Sequence, residues 1–215
     1  MPLLVVGSVA LDSVHTPREA REEVLGGSAV YFSYAASFFT SVRLVGVVGE
    51  DWPHEHTQFL QSRRIDTSGL QVIPGGKTFR WRGKYATNMN DRQTLEVHLN
   101  VLGDFDPVLP DGFKRCPYVF LANGSPRAQM KVLDQVTGPR LVVADTMDLW
   151  IREERAALFE LLRAFGEASG APYLVNTSFN GFREPIVCSP RDAVRVFYGT
   201  GIDMMVMGSF VLTKE

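Results

Sequence analysis

Cysteine is scarce in this chain: Cys116 and Cys188 are the only two among 215 residues. They lie far apart and match no metal-ligand spacing, which excludes a disulfide framework or a cysteine-built zinc site as the basis of the fold. Both read as small core hydrophobes. No apolar run approaches the roughly 20 residues that a membrane-spanning helix needs. The opening MPLLVVGSVALD has no basic start of the kind a signal peptide carries, so a cytoplasmic location is expected. Charge of one sign is missing too. Lys+Arg 22 against Asp+Glu 24 gives a net charge of −2, so no global field draws the chain to nucleic acid or to a membrane surface. Histidine gives no metal site. His54 and His56 are two apart and would not share a helix face, while His15 and His98 stand alone.

The residues that are present read as an α/β protein. Leu3–Gly7 is a short apolar run ended by glycine, the pattern of a buried strand. The charged stretch Thr16–Glu23 reads as a solvated loop. Gly26-Gly27 opens an apolar and aromatic helix over Ser28–Phe39, followed by a strand over Val42–Val48 and a helix over Trp52–Arg64. From Ser68 to Asn100 the texture changes. Thr78–Tyr85 and Thr94–Val101 alternate like strands with one wetted face, suggesting a small β lid. Tyr118–Ala122, Arg127–Val136 and Arg140–Asp145 then resume the strand–helix–strand order of a parallel sheet. The periodicity of Leu158, Leu161, Leu162 and Phe165 predicts a helix over Glu153–Ser169 that Gly170 stops. Pro172–Asn176 reads as a strand. Ser189-Pro190-Arg191-Asp192 is a near capping box, and Met204–Met207 and Phe210–Thr213 read as closing strands.

Three short motifs carry chemistry in the first part. Gly7-Ser8-Val9-Ala10-Leu11-Asp12 places a carboxylate past the first strand, at the end of the sheet where ligands of open α/β folds sit. Gly26-Gly27 lets backbone approach a ligand and exposes helix N-terminal N–H groups. Val45–Asp51 ends a further strand with glycine and acid. In this order, with a β lid following, the first two thirds of the chain resemble the PfkB or ribokinase family of sugar and nucleoside kinases. The resemblance implies a ribokinase-like parallel sheet and a bound sugar or nucleoside. It also implies substrate-binding roles for Asp12, Gly26, Gly27, Tyr31 and Asp51, with Lys77–Tyr85 closing over the ligand. Tyr31 stands where many family members place an asparagine, so the resemblance does not name the substrate. ATP and magnesium are implied by the family alone.

The family's Gly-Ala-Gly-Asp motif, which opens a helix and supplies the base and phosphate donors, has no counterpart. Gly199-Thr200-Gly201-Ile202-Asp203 carries one extra residue and precedes a predicted strand. No Walker-type loop replaces it, and no residue is assigned a catalytic role. Trp81 amid Arg80, Arg82 and Lys84 could stack on a base, but a solvated lid strand explains the pattern equally well.

Beyond Trp150 the likeness changes. Asn176-Thr177-Ser178-Phe179-Asn180, Glu184–Cys188, the capped helix from Ser189 and Thr200–Asp203 with Gly208 together resemble the C-terminal end of NodU/CmcH-type carbamoyltransferases. That end is YrdC-like, and the resemblance implies that Thr177, Ser178 and Asn180 contact nucleotide or carbamoyl phosphate. The expected organisation is therefore a ribokinase-like substrate-binding part over 1–152, incomplete, and a short α/β carbamoyltransferase-like segment over 153–215. Such a chain could arise by one deletion between neighbouring genes. Three functions stand side by side: a kinase relative that binds substrate without phosphoryl transfer, a carbamoyltransferase relative, and a non-catalytic binding module. The expected partner is a small molecule rather than nucleic acid or membrane, with self-association through an open sheet edge or the lid.

Overall fold

The computed structural model describes residues 1–89, 91–169, 187, 189–200, 204–207 and 210–214. It divides into two compact units, Met1–Leu174 and Val175–Glu215.

The first unit is built on a parallel five-stranded sheet. Strands β1 (Leu3–Val6) and β2 (Ala10–His15) are separated by Gly7, and β3 (Ala20–Gly26) leads into helix α1 (Ser28–Ala36). Strand β4 (Val42–Gly49), helix α2 (His54–Ser62) and strand β5 (Ile65–Ile73) follow. Then come β6 (Phe79–Tyr85), β7 (Arg92–His98), β8 (Tyr118–Leu121), helix α3 (Pro126–Gln135) and β9 (Leu141–Ala144). The main sheet runs β5-β4-β1-β8-β9, and β3-β2-β6-β7 form a second, four-stranded sheet. The apolar runs of β1 and β4 are buried on both faces, as the interior of a parallel sheet requires. On one side Val5, Val30, Leu44 and Leu60 form a core, with Phe32 stacked on Phe120 at 3.7 Å. On the other, Leu4, Val6, Phe113, Val119 and Val132 form a second core.

The lid differs from the sequence reading in two places. The charged stretch Thr16–Glu23 is not a loop throughout: Thr16 and Glu19 close a turn, and Ala20 onward is strand β3. Its acids are used across the sheet. Glu23 pairs with Arg80 at 2.8 Å, and Glu22 pairs with Arg82 at 3.2 Å. Charge therefore marks cross-strand pairing here rather than a solvated loop. Ser68 does not begin the lid either. It lies in β5, the edge strand of the main sheet, whose mixed composition hides its strand character because one side faces solvent.

The helix predicted over Glu153–Ser169 is α5 (Arg155–Ser169), and a short helix α4 (Asp148–Glu153), not predicted from the sequence, precedes it. Ala157 and Leu161 are buried, and α5 packs against α3. At the far edge β9 pairs with β8, and among the described residues no strand pairs with its other side. Leu141 and Val143 are exposed there by 55% and 45%. No described helix is long and apolar enough to cross a membrane.

In the second unit, helix α6 (Pro190–Gly199) is capped as the sequence predicts: the Ser189 hydroxyl accepts from the Asp192 N–H at 3.2 Å. Strands β10 (Met204–Met207) and β11 (Phe210–Thr213) form an antiparallel pair. Ala193, Phe197 and Met205 are its buried core. The predicted strand Pro172–Asn176 lies outside the described residues.

Candidate functional site

The site begins where β1 ends. Gly7 breaks the strand, and the chain crosses into β2, which carries Asp12 in the lid sheet beside Val24 of β3 and Trp81 of β6. The turn from β3 into α1 then brings Gly26 and Gly27 under the Asp12 carboxylate. A side chain at Gly26 would collide with that carboxylate, and one at Gly27 with the Ser8 carbonyl. Gly27 has φ +96°, the left-handed side of backbone space. Its N–H donates to Asp12. Gly26 is therefore demanded by the close approach of backbone to acid, and Gly27 by its positive φ and the Ser8 carbonyl.

Asp12 is half-buried, and burial pushes its pKa up to about 6 despite the Gly27 N–H that favours the charged form. Among the described residues no cation pairs with it. Tyr31, one turn into α1, has an exposed ring, yet its hydroxyl turns inward and donates to the Leu25 carbonyl at 3.4 Å. Burial of that hydroxyl, with Asp12 and Tyr85 nearby, holds the Tyr31 pKa above the usual tyrosine value. Asp12, Gly26, Gly27 and Tyr31 are thus one constellation, at the junction of the two sheets.

The exposed helix N–H groups expected after Gly26-Gly27 are already engaged. Ser28 N–H donates to the Ser8 hydroxyl at 3.1 Å, and Ala29 N–H to the Ser8 carbonyl at 3.2 Å. The first turn of α1 therefore leaves no free N–H at Ser28 or Ala29.

Asp51 stands apart from this group. Its Oδ1 accepts from the Thr78 N–H at 2.7 Å and hydroxyl at 2.8 Å, and its Oδ2 accepts from Arg80 at 2.7 Å. Burial acts to raise its pKa, but the Arg80 and Thr78 donors outweigh this and hold it below the usual carboxylate value. Asp51 fastens the root of β6 to the main sheet. Trp81 is likewise held within the lid. Its indole lies over Gly83, Arg92 stacks 5.4 Å from its centroid, and its N–H donates to Thr94 at 3.3 Å. Thr177, Ser178 and Asn180 lie outside the described residues.

Sequence reasoning missed Ser8, Ser28 and Asn123, which join three elements behind the site. The Ser8 and Ser28 hydroxyls are 3.2 Å apart, and the Asn123 N–H donates to Ser28 Oγ at 2.8 Å. The only signal was their place just past strand ends. Asp145, past the end of β9, has a pKa raised by burial against a bond from the Thr146 N–H. A separate cleft of about 510 Å³ lies between α2 and β5, lined by Trp52, Thr57, Gln61 and Thr67 among others. No sequence-predicted site residue lines it, so cavity volume and perturbed carboxylate point to different places. A half-buried carboxylate with no cation beside it among the described residues marks the Asp12 constellation as the candidate site.

Comparison with known proteins agrees with both halves of the sequence reading. The nucleoside kinase of Methanocaldococcus jannaschii, an archaeal member of the ribokinase family, superposes with a TM-score of 0.57 at 16% identity, over 81% of this chain and 65% of that one. The fold is ribokinase-like. A cytidine kinase of Thermococcus kodakarensis is 26% identical over 213 residues, covering 96% of this chain and 72% of the kinase. Residues 147–214 match the family described as carbamoyltransferase C-terminus. Nodulation protein NolO of Bradyrhizobium diazoefficiens is 32% identical over 107 residues, half of this chain but only 19% of NolO. The chain thus spans about a fifth of that relative's length and about two thirds of the nucleoside kinase. The kinase alignment covers so much of the chain that it overlaps the carbamoyltransferase match, and both likenesses claim the last third.

Proposed function

We propose that this chain binds a sugar or nucleoside at Asp12, Gly26-Gly27 and Tyr31 and transfers little or no phosphate to it. The observation that carries the reading is the Asp12 carboxylate: half-buried, without a cation among the described residues, and seated on a glycine pair where no side chain fits. Such a group is stabilised when ligand hydroxyls donate to it, so a polyhydroxylated ligand supplies what the free site lacks. Ribokinase-like architecture and the likeness to a cytidine kinase and a nucleoside kinase support this class of ligand.

The absence of turnover is inferred from the other side of the reaction. Phosphoryl transfer needs a base and donors for developing phosphate charge. Gly199-Thr200-Gly201-Ile202-Asp203, of which 201–203 lie outside the described residues, superficially resembles the family's phosphate-binding motif, but strand β10 begins at Met204 directly after it. A strand offers no N-terminal dipole to a phosphate, and this supports the reading that the segment does not hold ATP and magnesium.

Calorimetry with cytidine, uridine, adenosine, ribose and fructose tests the reading. Binding of one of them by the protein and loss of that binding in Asp12→Ala is expected. Equal affinity in the mutant removes the pocket from consideration, and sugar-dependent ATP turnover overturns the inactivity.

A second reading rests on the match over 147–214: a carbamoyl phosphate and ATP site remnant at Thr177, Ser178 and Asn180. Pyrophosphate released from ATP only when carbamoyl phosphate is present, and abolished by Ser178→Ala, would establish it in place of the first.

A further inference from the structure

Residues 147–154 belong to the stretch that matches the carbamoyltransferase C-terminus, yet Met147, Trp150 and Glu154 bond to the turn that follows strand β8 of the main sheet. Trp150 is 4% exposed, and its indole N–H donates to Asn123 Oδ1 at 2.9 Å. The Asn123 amide donates in turn to the Met147 sulfur at 2.9 Å. Two residues on, the Ser125 hydroxyl donates to Glu154 Oε2 at 2.8 Å, and Arg127 reaches the same oxygen at 3.6 Å. The segment therefore grips the Asn123–Ser125 turn, between the end of β8 and the start of α3, from both sides.

That turn is also the back of the Asp12 site. The Asn123 N–H donates to Ser28 Oγ at 2.8 Å, and its carbonyl accepts from the Ser8 N–H at 3.0 Å. Ser28 follows directly on Gly27, whose N–H holds Asp12. Trp150 thus holds the Asn123 side chain, and the backbone N–H of the same residue holds Ser28, the residue beside the glycine pair.

We propose that Trp150 and Asn123 are positioning residues for the Asp12 site, so that the segment inherited from one family fixes the ligand-binding turn of the other. Neither touches the ligand. Trp150 fixes the Asn123 side chain, Asn123 fixes Ser28, and Ser28 sets the first turn of α1 and the orientation of Gly27. The ligand arm of the test below rests on the binding reading above; the exchange arm does not.

The test uses the full chain with Trp150→Phe, which keeps an aromatic ring and loses the N–H, and Asn123→Ala, which removes the acceptor of the same bond and leaves the backbone N–H on Ser28. Asn123→Asp keeps the acceptor for Trp150. Amide hydrogen exchange is followed at residues 27–31, with β5 as a remote reference. Trp150→Phe and Asn123→Ala are each expected to speed exchange at residues 27–31 by about three- to tenfold, the effect of one lost hydrogen bond. The double variant should go little further, and Asn123→Asp should stay near wild type. Exchange unchanged at residues 27–31, or raised equally in β5, overturns the proposal. With a ligand that binds wild type, affinity should weaken about as much as exchange quickens, and an undiminished affinity in Trp150→Phe also overturns it. Quickened exchange with no ligand found for the wild type sinks the binding reading and leaves the positioning role standing.

Discussion

Asp12 is held in a place that disfavours its own charge. Its pKa rises from 3.8 to about 6, so the folded chain binds this proton more tightly than the unfolded one. The stability it contributes is complete below about pH 4 and is lost as pH climbs through about 6. Asp12→Asn, which cannot ionise, should therefore be more stable than wild type at pH 7 by about 1–2 kcal/mol. That advantage should vanish near pH 4. Urea unfolding at both values measures it, and an equal difference at both would show that Asp12 is not the group responsible. Gly27 has a harder constraint. With φ +96° and the Ser8 carbonyl against any added Cβ, Gly27→Ala should cost more than about 2 kcal/mol. A melt indistinguishable from wild type would contradict the geometry of the turn.

Among the elements, β9 carries the clearest liability. It is an edge of a parallel sheet, pairs only with β8 among the described residues, and exposes Leu141 and Val143. Edge strands offer unpaired backbone groups and open readily. The amides of β9 should exchange at least about tenfold faster than those of β1, which is paired on both sides. Equal protection would mean that something covers the edge. The lid shows the opposite economy. Arg80 is raised above its ordinary pKa by its bonds to Asp51 and Glu23, against burial that would lower it, and it joins β6 to both the main sheet and β3. The sequence showed these residues as a basic patch and an acidic loop. They are two sides of one set of ion pairs, and only strand pairing brings them together.

For the molecule as a whole, the two likenesses and the compact units have different boundaries. The sequence places the change near residues 150–153, and the carbamoyltransferase-type match begins at 147. The compact kinase-like unit, however, runs to Leu174. A chain ended at Thr146 would lose Trp150, Ala157 and Leu161 from the core and uncover α3. It should fall by about 3 kcal/mol or more in stability, comparable to truncating a large buried side chain. Circular dichroism melts of the truncated and full chains decide this; an unchanged transition would show that the segment merely lies alongside.

Much of this protein is decided by local pattern. The buried strands β1, β4 and β8, the helices α1, α3 and α6, and the Ser189 cap were legible because apolar period, glycine breaks and capping residues act over a few neighbours. Asp12 with Gly26 and Gly27 was legible as a candidate because glycine in sequence marks backbone that must pass close to something. What lies close was not legible. Tertiary structure alone put Asp51 into a clasp on Thr78 and Arg80, assigned Ser68 to the main sheet, and turned a charged stretch into a lid strand. It also set Trp150 against Asn123 behind Ser28 and the glycine pair. The reason is the same each time: the partner's hydrogen-bonding group sits dozens of residues away, and only the packed sheets bring the two within 3 Å.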